Sequence, residues 1–480
     1  MAVLSIDQGT SGTKALVVDD DGIVAVSEVA VRPSYLDDGG VEVDATDLLA
    51  SVIAAGRAAV SQAGRPIDAV GLANQGETVL AWDRTTGQPL TPALVWQDGR
   101  AASICAELEP YAAFIAQRSG LVLDPYFSAP KMTWLRRNRT SDGVVTTSDT
   151  WLLHQLTGQF VTDVTTASRS LVLDIDSGQW SSDLLELFDL ANEEVPRIVN
   201  NDEVVGTTTA FGGSVPVAGV IVDQQAALLA ESCLLAGDAK CTYGTGAFLL
   251  ANIGPRAARS ASGLTTSVAW SVRGEAAYCV DGQVYTAASA IRWMQDLGLI
   301  ADAHELDAVV AESSGGVQFV PALAGLAAPW WRSDATAAFV GMRLATGRGE
   351  IVRAVLEGVA ANVAELVALV ASDTGVPVQR LRVDGGLTQS TALMQAQADL
   401  LQVPVDVYPS AHATALGAAA LARMSMQPGL SLDAAVGSWV PARTYEPQWS
   451  SDRAASALAG WRDAVSRTTI DTPSNAGGNA

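Results

Sequence analysis

The sequence predicts an α/β protein of two related domains, because one order of elements occurs twice along the chain. Residues 3–22, VLSIDQGTSGTKALVVDDDG, read as a strand, a Gly/Thr/Ser turn, a second strand and an Asp-Gly turn. The same strand–turn–strand pattern returns at 241–254, CTYGTGAFLLANIG. Each hairpin precedes a helical stretch and then a strand that ends in a glycine-containing turn. These elements lie at 46–63 and 69–76 in the first half and at 350–372 and 381–390 in the second. The repeat places a domain boundary near residues 225–235.

Composition favours a large protein with an acidic surface. The chain has 480 residues, 49% of them hydrophobic, which suits two or three domains with sizeable cores. Asp and Glu total 52 against 29 Lys and Arg, and the net charge of −23 argues against binding to nucleic acid or an anionic membrane. No apolar stretch approaches the ~18–20 residues of a membrane span, and the N-terminal MAVLSID lacks the features of a signal peptide. We therefore expect a cytoplasmic protein.

The few cysteines and histidines narrow the chemistry further. No cysteine belongs to a CxxC pair, and no cysteine has a histidine at metal-ligand spacing. The residues concerned are Cys105, Cys233, Cys241, Cys279, His154, His304 and His412. This pattern argues against a zinc site or a Ser-His-Asp triad, so we expect a general base other than histidine.

The turn DQGTSGTK (7–14) is a candidate phosphate site. Glycines 9 and 12 let backbone N–H groups approach a ligand, while Thr10, Ser11, Thr13 and Lys14 add hydroxyls and a positive charge. It is neither a Walker A loop nor a dinucleotide fingerprint, because GxxxxGK[ST] and GxGxxG are both absent. Asp7, at the end of an apolar run, could hold Mg²⁺ through water. The alternative is a plain β-hairpin.

Two later glycine turns suit a nucleotide. In YGTGAF (243–248), Gly244, Thr245 and Gly246 offer the same kind of cradle as the first turn. In DGGLTQS (384–390), a glycine pair after a strand would let a flat ring lie against the backbone, as adenine binding requires. Each could also be an ordinary turn, but two such hairpins in matching places could hold a polyphosphate between them.

The segment GVIVDQQAALLAE (219–231) carries a single carboxylate directly after an apolar strand. Open α/β sheets bind ligands at this position, just beyond the carboxyl ends of their strands. Phosphoryl transfer to an alcohol needs a carboxylate that accepts or orients the hydroxyl proton, and Asp223 is the candidate. Asp223 could also be the N-cap of the following helix.

Three short segments suggest a polyol pocket: NQGET (74–78), WQDGR (96–100) and DPYF (124–127). Glu77 could accept hydrogen bonds from hydroxyls, and Trp96 and Tyr126 could cover C–H groups with their rings. Each aromatic residue taken singly fits a core position equally well.

Taken together and in this order, these segments resemble the FGGY family of carbohydrate kinases, and within it the glycerol kinases most closely. Further matches are ALVWQDGR, DTWLLHQLTG, VDQQAALLAE, LRVDGGL and TALGAAALA, so the resemblance runs from residue 3 to about 420. It implies an ATP-dependent kinase with two ribonuclease-H-like domains of the actin/Hsp70/hexokinase class and a catalytic cleft between them. The family often forms homodimers or homotetramers, and the sequence leaves that choice open.

The resemblance also implies domain limits and residue roles. Substrate and phosphate would bind an N-terminal domain over 1–228, the nucleotide a C-terminal domain over 229–430, and an extension over 431–480 would end in a disordered tail, TTIDTPSNAGGNA. Asp223 would be the catalytic base, Gln224 would bind substrate beside it, and Asp7 would position Mg²⁺. The polyol pocket would comprise Gly76, Glu77, Trp96, Tyr126 and Phe248. The residues that contact ATP would be Thr10, Ser11, Gly12, Lys14, Thr245, Gly385 and Gly386.

One departure from the family bears on the substrate. Glycerol kinases carry arginine before the matching glutamate, in NQRET, and here the residue is Gly76. Because glycine loses a charged donor and opens space, we expect a polyol longer than glycerol, a tetritol or a pentitol. In the alternative, another basic residue such as Arg100 substitutes and glycerol remains the substrate.

Two other classes of function fit the sequence less well. A ketopentose kinase is less favoured, because QGET stands at 75–78 in place of the xylulokinase-like QMHG. A non-kinase ATPase or a sugar sensor on the same fold is disfavoured, because Asp7 and Asp223 are both retained.

Overall fold

The computed structural model describes residues 1–469, and the N-terminal half of this part is built on a six-stranded sheet. The strands of this half are β1 (Val3–Gln8), β2 (Gly12–Asp19), β3 (Gly22–Ala30), β4 (Ser34–Tyr35), β5 (Val41–Val43), β6 (Ala69–Asn74), β7 (Val79–Trp82), β8 (Ala93–Leu94), β9 (Val144–Thr147), β10 (Val161–Asp163), β11 (Leu173–Asp174), β12 (Gln179–Trp180), β13 (Arg197–Val199), β14 (Val204–Thr208) and β15 (Val215–Val222). The helices are α1 (Ala45–Ala63), α2 (Ala102–Leu108), α3 (Ala112–Ser119), α4 (Ser128–Asn138), α5 (Ser148–Thr157), α6 (Val164–Ala167) and α7 (Ser182–Leu187).

The C-terminal half is built on a seven-stranded sheet. Its strands are β16 (Asp238–Tyr243), β17 (Ala247–Gly254), β18 (Thr265–Val272), β19 (Glu275–Val284), β20 (Gln318–Val320), β21 (Ala338–Val340), β22 (Arg380–Asp384), β23 (Val405–Val407) and β24 (Arg443–Tyr445). Helix α8 (Asp223–Ala230) follows β15 at the end of the first half. The helices of the second half are α9 (Ala288–Asp296), α10 (Leu306–Val309), α11 (Arg348–Thr374), α12 (Thr391–Leu401), α13 (Ala413–Met426), α14 (Leu432–Val436) and α15 (Ser451–Thr468). The disorder predicted for the end of the chain falls almost entirely on residues 470–480, which lie outside the described residues.

The repeat predicted from the sequence is present in the topology of the two large sheets. In the first half, the order is β14-β15-β6-β1-β2-β3, with β1 antiparallel to β2 and parallel to β6. In the second half, the order β18-β19-β17-β16-β22-β23-β24 places β16 antiparallel to β17 and parallel to β22. The long helices α1 and α11 occupy the same place in the two sequences of elements. Each half is therefore a hairpin, a long helix and a parallel strand around its own core.

Helix α13 joins the halves, because it belongs to the later part of the chain and packs on the N-terminal sheet. Small residues allow this close contact. A Cβ added to Gly417 would lie 2.0 Å from the carbonyl oxygen of Ala226 in α8, and one added to Gly71 in β6 would lie 2.8 Å from that of Ala418. The segment TALGAAALA is thus a packing surface that fixes α13 against α8 and β6.

Helix α11 reaches the length and mean hydropathy of a membrane span, contrary to the expectation from the sequence. Its 27 residues include an 18-residue window of mean hydropathy 1.8, of which 72% is buried inside the protein. Val355, Val359 and Leu366 are among the residues that it buries in the core of the C-terminal half. That burial is typical of the central helix of a globular core.

Candidate active site

The predicted base and its neighbours meet where parallel strands end. Gln8 of β1 pairs with Asn74 of β6, which pairs with Val222 of β15, so the carboxyl ends of these strands lie side by side. Asp7 lies at this edge, and Glu77 and Asp223 follow the other two strands. The edge therefore collects three carboxylates, as expected for the ligand-binding end of an α/β sheet.

A cavity of about 120 Å³ lies against this edge and is closed by residues of the C-terminal half. All seven residues predicted to bind substrate line it: Gly76, Glu77, Trp96, Tyr126, Asp223, Gln224 and Phe248. Other lining residues include Thr10, Arg169, Val222, Gln225, Asp281 and Gln283. The structure thus brings the predicted substrate residues together in one place, which we call the acceptor cavity.

Aromatic rings form one side of the acceptor cavity. Trp96 makes edge contacts with Tyr126 and Phe248, with ring centroids 5.5 Å and 6.1 Å apart. The indole N–H of Trp96 donates to the Thr10 hydroxyl at 2.9 Å, and that hydroxyl donates to Gln75 Oε1 at 3.1 Å. These contacts fix the rings in orientations that can cover C–H groups of a polyol.

Lys131 holds the backbone that carries Tyr126. Its side chain is buried, and Nζ donates to the carbonyl oxygens of Pro125 at 2.9 Å, of Phe127 at 2.6 Å and of Tyr126 itself. Burial lowers the pKa of Lys131 to about 8, against the opposing effect of nearby Glu77 and other acidic groups. All three ammonium protons are used, so the Tyr126 segment is rigidly positioned.

Val222 borders the space beside Gly76, against the expectation of an enlarged pocket there. A Cβ added to Gly76 would lie 2.9 Å from a γ-methyl carbon of Val222. Because valine is stiff at χ1, an arginine at this position would require Val222 to move. Next to it, Glu77 has a left-handed φ of 59°, a conformation that costs energy in a non-glycine residue and is commonest at functional sites.

Arg169 places a guanidinium group beside Glu77. Its Nε donates to Glu77 Oε1 at 2.6 Å, and Nη1 donates to the Asp281 carboxylate. The alternative that Arg100 substitutes is wrong. The Arg100 guanidinium bonds to Asp98 and to Glu42 at 2.8 Å, and it does not line the acceptor cavity. The cavity therefore keeps a positive charge beside Glu77, provided from another segment of the chain.

Asp223 is the first residue of α8, not its N-cap, which is Val222. Burial, with the negative charges of Asp7 and Glu77, raises the pKa of Asp223 to about 7, although the backbone N–H of Gln224 donates to its Oδ1 at 2.7 Å. Such a carboxylate is poised to accept a proton near neutral pH. On the far side, buried Lys240 donates to Gln224 Oε1 at 2.6 Å and to the Thr242 hydroxyl at 2.7 Å, and so orients the Gln224 side chain.

A pH dependence follows from these positions. The base must be ionised, so kcat/KM is expected to rise with pH and to level off above an apparent pKa near 7. Glu77→Gln removes a negative charge that raises this pKa, so the rising limb should move to lower pH. Initial rates of ADP release from pH 5 to pH 9 test both statements. A flat profile in the wild-type protein, or a shift to higher pH in the variant, would contradict the assignment of Asp223.

The residues predicted to bind ATP are divided between the two halves, and Thr10 is the one among them that lines the acceptor cavity. In the first hairpin, a Cβ added to Gly12 would lie 2.9 Å from the Val29 carbonyl oxygen, so glycine is required there. Ser11 is exposed, and Gly12 and Lys14 are partly exposed. In the second half, Thr245 is exposed at the tip of the β16–β17 turn.

The predicted adenine loop has the shape that its glycines suggest. Gly385 has a φ of 96°, and a Cβ there would lie 2.4 Å from the Tyr243 carbonyl oxygen. Gly386 has no neighbouring atom within 4 Å of the place where a Cβ would be. The loop is thus packed closely on the backbone of Tyr243 at Gly385, and the backbone at Gly386 has open space beside it.

Asp7 in β1 and Asp384 at the end of β22 suit a cation that binds together with waters and substrate phosphates. Among residues 1–469, no group of three or more His, Cys, Asp or Glu side chains could hold a metal ion. Burial and the nearby Asp384 raise the pKa of Asp7 to about 6, with Lys14 opposing. Oδ1 of Asp384 is buried without a hydrogen-bond partner. Mg²⁺ is usually bound by one or two carboxylates together with waters and substrate phosphates, and these residues fit that pattern.

Family models identify both halves. Residues 2–230 match the N-terminal domain of the FGGY family of carbohydrate kinases, and residues 239–426 match its C-terminal domain. The chain belongs to this family. It is an ATP-dependent carbohydrate kinase with the two-domain fold of the actin/hexokinase class, as the sequence predicted.

Its similar proteins include glycerol kinases and sugar kinases. A glycerol kinase of Alkalilimnicola ehrlichii is 42% identical over 97% of this chain and 98% of its own length. The crystal structure of Plasmodium falciparum glycerol kinase with ADP superimposes with a TM-score of 0.91 at 33% identity, covering 98% of this chain and 99% of that one. A ligand-bound xylulose kinase from Lactobacillus acidophilus has a TM-score of 0.89 at 20% identity over 98% and 99% of the two chains, and so shares the fold. This FGGY kinase is therefore glycerol-kinase-like.

Several residues of the acceptor cavity are not predicted by the sequence. Arg169 lies in ASRS, among small polar residues that give no sign of a buried charge. Asp281, in the apolar run YCVDGQV, carried the same signal that revealed Asp223, a single carboxylate in a buried strand. The single carboxylate is visible in the sequence. Its role depends on Arg169, which bonds to both Asp281 and Glu77 in the folded protein.

Proposed function

We propose that this FGGY kinase phosphorylates glycerol, in place of the tetritol or pentitol expected from the sequence. The observation that carries the proposal is the pairing of Arg169 with Glu77. A guanidinium group therefore stands beside Glu77 although position 76 is glycine, and a Val222 methyl group borders the space next to Gly76. The high identity to glycerol kinases supports the same substrate.

The size of the acceptor cavity also supports glycerol. Its volume is about 120 Å³. A cavity of about 150 Å³ accommodates benzene, which like glycerol has six non-hydrogen atoms. Tetritols and pentitols have eight and ten, and so require the cleft to open further. The carboxylates and the aromatic rings that line the cavity suit hydroxyl groups and C–H groups respectively.

In the proposed mechanism, Asp223 takes the proton from a terminal hydroxyl of glycerol. The hydroxyl oxygen forms a bond to the γ-phosphorus of ATP as the bond from that phosphorus to the β–γ bridging oxygen breaks, and ADP leaves. Phosphate oxygens would be held by Thr10, Ser11, Gly12 and Lys14 from one half and by Thr245 from the other, with adenine at Gly385 and Gly386. Asp7 would hold Mg²⁺ through water, and the bound ion would neutralise phosphate charge. The protein acts mainly by positioning the two substrates.

The test is ADP release from Mg·ATP with glycerol, erythritol, threitol, ribitol, xylitol, arabinitol and xylulose. We expect glycerol to give the highest kcat/KM. Val222→Ala opens the space beside Gly76, so it should raise the kcat/KM for erythritol relative to glycerol, whereas Val204→Ala, at an exposed strand position, should leave the ratio unchanged. A wild-type preference for a four- or five-carbon polyol would overturn the proposal and restore the longer substrate. ATP hydrolysis that no acceptor changes would instead favour an ATPase.

A further inference from the structure

Gln283 is the one lining residue of the acceptor cavity whose hydrogen bonding, within residues 1–469, is both buried and incomplete. Gln283 lies near the end of β19, opposite Phe248 of β17, and it is 3% exposed. Its Oε1 has no hydrogen-bond partner in the described part of the chain. A buried carbonyl oxygen without a donor is unfavourable, so it points to a donor on a ligand.

The orientation of this amide is set by Asp281, two residues earlier on the same face of the strand. Gln283 Nε2 donates to Asp281 Oδ1 at 3.3 Å. The Asp281 carboxylate also accepts from the Arg169 guanidinium and from the Thr265 hydroxyl. An ionised carboxylate only accepts hydrogen bonds, so the NH₂ group of Gln283 faces Asp281 and its oxygen is the atom left over. The wall formed by these two residues therefore offers acceptors.

We propose that Gln283 is a specificity-determining residue whose Oε1 accepts a hydrogen bond from an acceptor hydroxyl other than the one that is phosphorylated. The inference rests on the proposed function, in which the attacking hydroxyl gives its proton to Asp223. A second hydroxyl can donate to Gln283, whereas a carbonyl or carboxylate oxygen cannot. With Glu77, Asp223 and Asp281 also present, the cavity disfavours ketoses at this position and repels sugar acids.

The unpartnered oxygen of Gln283 indicates a ligand contact because Gln283 lines the acceptor cavity. Asn362 Oδ1, in the middle of α11, is also buried without a partner, but Asn362 does not line the acceptor cavity. The two residues therefore form a matched pair. Removing the Gln283 amide should change which acceptors are used, while removing the Asn362 amide should change stability alone.

The experiment compares glycerol with propane-1,2-diol and propane-1,3-diol, each of which lacks one hydroxyl. For Gln283→Met, we expect kcat/KM for glycerol to fall about ten- to hundredfold, while kcat/KM for one of the two diols stays within about twofold of wild type. Asn362→Ala should keep the wild-type ratio of glycerol to each diol. Loss of the same factor for glycerol and both diols, or no loss at all, would overturn the proposal.

Two controls distinguish a loss of specificity from misfolding of the variant and from a wrong choice of acceptor. Thermal unfolding and binding of Mg·ADP are measured for each variant, and Gln283→Asn, which keeps the amide but withdraws its oxygen, replaces Gln283→Met if that variant does not fold. The same pattern is expected of it. If the wild-type protein ignores glycerol and uses another polyol, the proposed function fails. The role of Gln283 is then decided by the same comparison between that polyol and its deoxy derivatives.

Discussion

Asp223→Asn is expected to lower kcat by about a hundred- to ten-thousandfold, the usual contribution of a general base. The variant keeps an oxygen that can accept from the backbone N–H of Gln224, so this hydrogen bond of 2.7 Å can persist. It cannot take up the hydroxyl proton. The loss should therefore fall on kcat, with a smaller change in the KM values of glycerol and ATP. Steady-state ADP release with saturating Mg·ATP measures the effect.

The same variant should be at least as stable as the wild-type protein at alkaline pH. Folding raises the pKa of Asp223 from 3.8 to about 7, so the folded state binds this proton more tightly than the unfolded state. The favourable contribution of Asp223 to stability is therefore present at low pH and is lost as pH rises from about 4 to about 7. Asparagine cannot ionise and escapes this loss. A fall in the Tm of Asp223→Asn at pH 8 would contradict this reasoning.

A matched control separates chemistry from helix effects. Asp433 lies in the first turn of α14 as Asp223 does in α8, but it is exposed and outside the acceptor cavity. Asp433→Asn should leave kcat unchanged within about twofold, because the helix-dipole contribution of an exposed carboxylate is small. If Asp223→Asn kept more than a tenth of the wild-type kcat, Asp223 would not be the base.

The fold could be predicted because its signals are local and occur twice. A hairpin with a Gly/Thr turn, a long helix and a strand that ends in glycine are each visible in a short window, and their repetition fixed the two-domain architecture. Two of the predicted substrate residues carry a related signal, whereas Gln224 and Phe248 were implied by the family resemblance alone. Asp223 and Glu77 follow apolar strands, and parallel strands bring such positions to one edge.

The remaining parts of the acceptor cavity depend on contacts between distant segments. Arg169 is 92 residues from Glu77 and 112 residues from Asp281, and no local pattern relates the three. The space beside Gly76 depends on Val222, which approaches only after β6 and β15 pair. A smaller side chain than the family has at one position therefore does not by itself predict open space, because a residue distant in the sequence can border that position.

Arg169→Met is expected to be the most destabilising of these substitutions, by about 3–5 kcal/mol, because it leaves buried charges without their partner. Arg169, Glu77 and Asp281 are each less than 5% exposed. Burial, with the negative charge of Glu77, raises the pKa of Asp281 to about 6 even in the presence of the guanidinium. Without Arg169, the pKa of this carboxyl should rise further. The loss of stability should then be greater at pH 8 than at pH 5, since the raised pKa stabilises the protonated form of the folded protein.

Arg118→Met is the control for removing a surface arginine. Arg118 bonds to Asp174 at 2.8 Å and Asp183 at 3.1 Å, and its side chain is 43% exposed, so its loss should cost about 1 kcal/mol or less. Urea unfolding midpoints of the two variants at pH 5 and pH 8 provide the comparison. Equal midpoints for Arg169→Met and Arg118→Met would show that the buried ion group contributes nothing beyond an exposed pair.

Because Arg169 and Glu77 come from one half and Asp281 from the other, the same group connects the two sides of the acceptor cavity. Adding Glu77→Gln and Asp281→Asn to Arg169→Met removes the unpaired charges, so much of the lost stability should return. The kcat/KM for glycerol should not return, because the neutral triple variant lacks both the guanidinium and the carboxylate that face the acceptor. Stability regained without activity would thus assign the buried ion group two separate roles, one in holding the halves together and one in binding the acceptor.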